Sequence, residues 1–159
     1  MANLPSLTAE ERAVWRAYQR MSVSVFSRLN RELLQEARIS LPDYEVLVTL
    51  MDSPERRLRA FELGAELQWE KSRLSHHLKR MENRGLVERM VCESDGRGLW
   101  VGLTAAGVAS IGTATPIHDE TVKRLLLDAM ERPQQALLVE LSEKVSASIP
   151  ADTEEACSR

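Results

Sequence analysis

The stretch Trp69 to Gly107, WEKSRLSHHLKRMENRGLVERMVCESDGRGLWVGLTAAG, decides the fold. Its first half has the period of a helix. At about 100° per residue, Leu74, Leu78 and Met81 fall on one narrow stripe, the pattern of a face packed on a core. Ser72, His76, Lys79 and Asn83 then project directly away from that stripe, with Arg73 and Arg80 on its flank. Each is a hydrogen-bond donor, and no Asp or Glu stands among them. Trp69 and Leu74 have the spacing of a hydrophobic staple around a cap at Glu70. Glutamate is a poor capping side chain, although its charge suits a helix N-terminus. Gly85 is a natural stop. The second half reads as a hairpin: residues 86–92 and 99–103 are rich in Val and Leu, and turn formers fill Glu93-Ser94-Asp95-Gly96-Arg97-Gly98 between them.

A donor-faced helix followed at once by a hairpin suits duplex DNA, the helix entering a major groove while the hairpin lies along the neighbouring backbone. Glycines on both sides leave Arg97 at an uncluttered tip, where a narrow minor groove would attract its guanidinium and Asp95 would orient it. An ordinary solvated turn arginine fits the same spacing.

The surrounding chain reads as scaffold. Thr8 with Glu11 makes a capping box opening a long first helix to about Ala37, with Val14, Tyr18, Met21, Val25, Leu29 and Leu33 on one stripe. Ser40 with Asp43 opens a second helix that carries Tyr44, Leu47, Val48 and Met51 inward and stops before Pro54. Arg57-Leu58-Arg59 is expected to be a short strand pairing with the hairpin, and residues 60–68 a supporting helix; phosphate contact by Arg57 or Arg59 competes with a simply solvated surface. After Thr104 the pattern is helical to about Ser148, with Pro133 marking the start of the last helix. The expected class is mainly α, an α+β winged helix-turn-helix of about six helices with a two- to three-stranded wing. Its divisions are an N-terminal arm (1–7), a first dimerisation helix (8–40), a DNA-binding lobe (41–103), C-terminal dimerisation helices (104–148) and a disordered tail (149–159). The terminal helices carry more apolar surface than such a module can bury within itself, and a homodimer is the economical explanation. A two-fold pair presents two donor-faced helices about one DNA turn apart, hence a palindromic target with half-sites spaced by roughly 10 bp.

Composition agrees. A chain of 159 residues, 43% hydrophobic and 28% charged, supports one domain with a real core. There is no secretion-signal pattern and no apolar run long enough to span a bilayer, so a cytoplasmic location without membrane contact is expected. The net charge of −3 is unevenly placed: residues 71–100 carry seven basic and four acidic side chains, a local +3, which leaves −6 on the remainder. A positive module on an acidic body concentrates attraction on one surface. Two cysteines, Cys92 and Cys157, give neither a disulfide framework nor metal-ligand spacing, and no cofactor is expected.

The run from Leu41 through Gly107, with LPDYEVLVTL, LRAFELGAELQ, KSRLSHHLKRMENRGLVER, DGRG and LTAAG, resembles the MarR family of bacterial winged-helix transcription regulators, and a weaker likeness extends over roughly Thr8 to Val145. Asp95 and Arg97 match the family's wing tip; Leu103, Thr104 and Gly107 match its closing Leu-Thr-x-x-Gly. Glu70 departs from it, a small capping residue being more usual there. The resemblance implies major-groove contacts from Ser72, Arg73 and His76 and a minor-groove contact from Arg97; the outward face read from the helical period adds Lys79 and Arg80 as DNA-binding candidates. The resemblance also implies interlocked terminal helices in a dimer, and a small aromatic or anionic effector in the crevice between dimer helices and DNA-binding lobe. Trp15, Arg16, Tyr18 and His118 are the candidate pocket residues, although their pattern fits core packing equally well. The implied function is a sequence-specific regulator, a repressor occupying its operator.

His76 and His77 point about 100° apart on a helix, which suits groove contact by one and packing by the other better than a shared metal. Cys92, near Arg89 and Arg97, reads either as a packed strand cysteine or as a redox sensor. His118 follows Pro116, near the start or a kink of the fifth helix, as pocket or pH-sensing residue or as an ordinary surface or interface histidine. A winged helix used for protein contacts would expose apolar anchors where this one shows donors. An enzyme has no support, since no nucleophile-base pair, metal motif or phosphate loop is visible.

Overall fold

Thr8 and Glu11 exchange the two hydrogen bonds of a capping box, Glu11 N–H to Thr8 Oγ1 at 3.2 Å and Thr8 N–H to Glu11 Oε2 at 2.7 Å. They open α1 (Ala9–Glu32), which widens into a π-type turn over Leu33–Ala37. The computed structural model describes residues 6–91 and 99–150. A left-handed residue, Arg38 at φ 59°, ends the π turn, and Ser40 with Asp43 forms a second capping box at α2 (Leu41–Asp52). Then come β1 (Arg57–Arg59), α3 (Ala60–Leu67), α4 (Lys71–Asn83), β2 (Val87–Val91), β3 (Leu99–Leu103), α5 (Ala105–Val122), a second π-type turn (Lys123–Leu127) and α6 (Arg132–Ser148). Among the described residues these are the six helices and small three-stranded sheet expected of a winged helix-turn-helix. The sheet is antiparallel in the order β1-β3-β2, with Leu58 opposite Val101 and Arg89 opposite Val101 on the other side.

The chain divides after Val122 into two compact units. In the first, Leu47, Leu50, Leu63, Leu78, Met81, Val87 and Val101 form the centre of the core, each at most 2% exposed. α5 closes over α2: Tyr44 Oη reaches Thr115 Oγ1 at 3.3 Å, and the Tyr44 ring stacks on His118 with centroids 4.6 Å apart. Buried Glu32 is satisfied by Arg28, whose Nε donates at 2.6 Å, and by the Thr121 hydroxyl. The first-helix stripe divides in two. Leu29 and Leu33 are buried, whereas Val14, Tyr18 and Met21 remain 72%, 56% and 42% exposed. Trp15, Val23 and Phe26 on the same helix are also exposed. In the second unit α6 buries none of its residues, and Leu137, Val139, Leu141 and Val145 lie open. Pro116 sits inside α5, not at its start, and so does His118. Among the described residues no helix is long and apolar enough to cross a membrane.

The closing Leu-Thr-x-x-Gly has a physical explanation. Thr104 Oγ1 lies 2.6 Å from Gly85 O and 3.1 Å from Leu86 O, and accepts Gly107 N–H at 3.0 Å, so one side chain caps α5 and ties it to the end of α4. Two turns of main chain meet there. A Cβ on Gly107 would lie 2.2 Å from Leu86 O, so only glycine permits that approach.

Candidate nucleic-acid interface

α4 is anchored at both ends before any ligand is considered. At its start, Gln68 adopts a left-handed conformation and Trp69 N–H reaches Gly64 O at 2.9 Å, turning the chain sharply out of α3. Glu70 is the N-cap residue and makes no side-chain capping hydrogen bond, in keeping with its poor suitability. Trp69 anchors the helix differently: the Arg73 guanidinium lies over its ring at 4.2 Å, and the ring meets His77 edge-on at 5.2 Å. At the other end, Gly85 (φ 71°) completes a Schellman motif, with Leu86 N–H to Met81 O at 3.0 Å and Gly85 N–H to Glu82 O at 2.9 Å.

Between these ends the helix has two distinct faces. Leu74, Leu78 and Met81 are at most 4% exposed, as the stripe requires. Lys71, Ser72, Arg73, Ser75, His76, Lys79, Arg80 and Asn83 are exposed, and every one of them carries a donor. The single carboxylate of the helix, Glu82, is half-buried and accepts Arg89 Nε at 2.8 Å, which ties β2 to α4. That guanidinium holds the Glu82 carboxyl below the usual glutamate range. The outward face is therefore rich in cations and donors and carries no carboxylate.

Not every arginine in the basic segment is available for a ligand. Arg84 donates to Asp43 Oδ2 at 2.6 Å and to Arg38 O at 2.7 Å, pinning the end of α4 to the turn between α1 and α2. Asp43, 3% exposed, also accepts Ser40 N–H at 2.9 Å, and its Oδ1 lies 3.0 Å from His77 Nε2. This last contact has the distance of an ion pair without the alignment of a good hydrogen bond. Burial pushes the Asp43 carboxyl up, but the adjacent His77 ring and the hydrogen bonds from Ser40 and Arg84 prevail and hold it well below the usual aspartate range. Nearby, burial raises the Glu45 carboxyl, against the pull of Arg73 and His77. Charge counting treats Arg84 and Arg89 like Lys79; only the fold shows that Asp43 and Glu82 engage the two arginines.

On the sheet, the Arg57 and Arg59 guanidiniums both lie over Trp100, at 5.0 and 4.8 Å, and Arg57 also pairs with Glu55. Cys92, Asp95 and Arg97 fall outside the described residues. Of the pocket candidates, Trp15 and Tyr18 stack on each other at 5.8 Å along the open face of α1, with Arg16 exposed beside them, while His118 packs on Tyr44 and pairs with Asp119 at 2.9 Å. An open cleft of about 570 Å³ is lined by Thr49, Asp52, Ser53, Pro54, Leu58, Glu62 and Glu66, and none of the four candidates lines it. Its three carboxylates make it unfavourable to an anion.

Comparison with known proteins gives this geometry a context. The model of the MarR family matches residues 39–98, a range that includes α2, β1, α3, α4 and β2. Transcriptional regulator HosA of Escherichia coli O157:H7 is 33% identical over 108 residues, covering 67% of this chain and 77% of the relative. The solved structure of Sco3205, a MarR family transcriptional regulator from Streptomyces coelicolor in complex with DNA, superposes with a TM-score of 0.85 at 36% identity, covering 92% of this chain and 91% of that one. AbsC, a MarR family regulator from the same organism, gives 0.83 at 32% identity over 90% and 96% of the two chains. The donor-faced α4 and its three-stranded sheet thus sit in a fold and a sequence shared with transcriptional regulators: the chain belongs to the MarR family of winged-helix transcriptional regulators.

Proposed function

We propose that this regulator binds a palindromic DNA operator as a homodimer and represses by occupying it. The observation that carries the reading is the outward face of α4, where eight exposed residues all donate and none is acidic. Ser72, Arg73, His76, Lys79 and Arg80 would meet base edges and phosphates in the major groove, with Arg97, oriented by Asp95, in the minor groove. The similar regulator Sco3205, solved in complex with DNA, supports this use of the fold. The homodimer is supported by apolar side chains left open on α1 and, separately, on α6, which a second copy would cover. A small aromatic or anionic effector at Trp15, Arg16, Tyr18 and His118 would release the operator only by binding the DNA-incompetent spacing of the two lobes more tightly than the competent one.

The test is selection of bound fragments from the source genome with the full chain, followed by gel shifts at two salt concentrations. The reading expects an enriched palindrome with half-sites about 10 bp apart and affinity that falls steeply with salt. Absence of any enriched duplex would contradict it.

A further inference from the structure

His77 is the buried polar residue of α4, 7% exposed, and the outward face does not include it. Its ring is held on three sides: Trp69 meets it edge-on, Asp43 Oδ1 faces Nε2 at 3.0 Å, and Arg80 Nη2 lies 2.8 Å from Nδ1. A guanidinium has N–H donors only, so Nδ1 must accept and carries the lone pair. The ring hydrogen is then on Nε2, the nitrogen that lies 3.0 Å from Asp43 Oδ1 without hydrogen-bond alignment, and the Arg84 guanidinium and the Ser40 backbone hold that carboxylate from the other side. The result is a relay of close contacts from α2 through the buried His77 ring to an exposed arginine.

We propose that His77 is a positioning residue for DNA recognition: fixed by Asp43 and Trp69, its Nδ1 holds the Arg80 guanidinium in one orientation on the outward face of α4. The inference rests on the reading of that face as the groove-binding surface. An unrestrained arginine samples many rotamers and loses them on contact with DNA; one already hydrogen-bonded to a rigid acceptor loses less and presents its remaining N–H groups in a defined direction. Truncating His77 would therefore weaken binding through Arg80 without removing a DNA contact of its own.

Two substitutions separate the halves of the relay. In His77→Asn the side-chain oxygen reaches the place of Nδ1 and still accepts from Arg80; in His77→Gln the amide reaches the place of Nε2, keeping a donor to Asp43 while the acceptor for Arg80 is lost. Each is combined with Arg80→Ala, and binding to the genome-selected operator fragment is measured per folded protein. Arg80→Ala should weaken binding by about tenfold in the wild-type and His77→Asn backgrounds and by no more than about twofold in His77→Gln. Equal losses in all three backgrounds would overturn the positioning role while leaving DNA binding intact. A wild-type chain that binds no duplex would overturn both. Nitrogen-15 NMR of the wild-type full chain is an arm that needs neither DNA nor a variant: it should find the His77 hydrogen on Nε2, and a hydrogen on Nδ1 would overturn the relay even if His77→Gln failed to fold.

Discussion

Replacing Asp43 by alanine should cost about 2–4 kcal/mol of folding stability, and the figure follows from what the carboxylate leaves behind. Ser40 N–H, bonded at 2.9 Å, loses its half of the capping box, worth about 1 kcal/mol. The buried His77 ring nitrogen, 3.0 Å from Oδ1 without hydrogen-bond alignment, loses the carboxylate that offsets its burial, at about 1–3 kcal/mol. Arg84 adds little, because its side chain is 43% exposed and it keeps the bond to Arg38 O. The assay is urea unfolding of the wild type and the variant across pH. Because the Asp43 carboxyl is held below its ordinary value of 3.8, its contribution is complete above that value and disappears as pH falls through the lower folded value. The deficit of the variant should stay constant from about pH 7 to pH 5 and shrink only below about pH 4. A deficit under about 1 kcal/mol at neutral pH, or one that persists unchanged into strong acid, would refute the account of this cluster.

Three further outcomes are expected. Gly107→Ala places a methyl group against a backbone carbonyl that cannot retreat without moving β2, and should destabilise by about 3 kcal/mol in thermal melts; a neutral effect would mean that α5 slides freely over Leu86. Asp128→Ala removes a surface pair with Lys123 whose side chains are 54% and 67% exposed, and should leave the melting curve unchanged, a measurable drop showing that the pair matters more than its exposure suggests. Phe26→Asp, at a side chain 57% exposed, should preserve the circular dichroism of the chain but shift its sedimentation toward the monomer, and an unchanged dimer would remove α1 from the proposed interface.

Much of this architecture was legible in the sequence because it is set by local rules. The Thr8–Glu11 and Ser40–Asp43 spacings specify capping boxes, Gly85 a left-handed stop, and Leu74, Leu78 and Met81 the buried stripe; each depends on residues a turn or two apart, and each is present. What escaped depends on partners distant in the chain. His77 flanks the stripe by period alone, and nothing in α4 announces that Asp43, on another helix, awaits it. Arg84 and Arg89 count as positive charge in any sequence sum, yet Asp43 and Glu82 engage them. Arg73 looked like a simple groove contact, while in the fold its guanidinium also covers Trp69. The length of α1 was readable, but the change from open to buried along it depends on α5 packing against only its C-terminal part, where Thr121 meets Glu32.

The measurement closest to the central claim is a comparison of wild type and His76→Ala on the selected operator and on versions changed at one base pair at a time. His76 is exposed in the middle of the donor face. If that face reads bases, the variant should lose discrimination, by about 1–3 kcal/mol, at one symmetric pair of positions, one in each half-site. Uniform weakening on every sequence, with the wild-type order of preference retained, would show that the face of α4 grips the phosphate backbone and that sequence is read elsewhere.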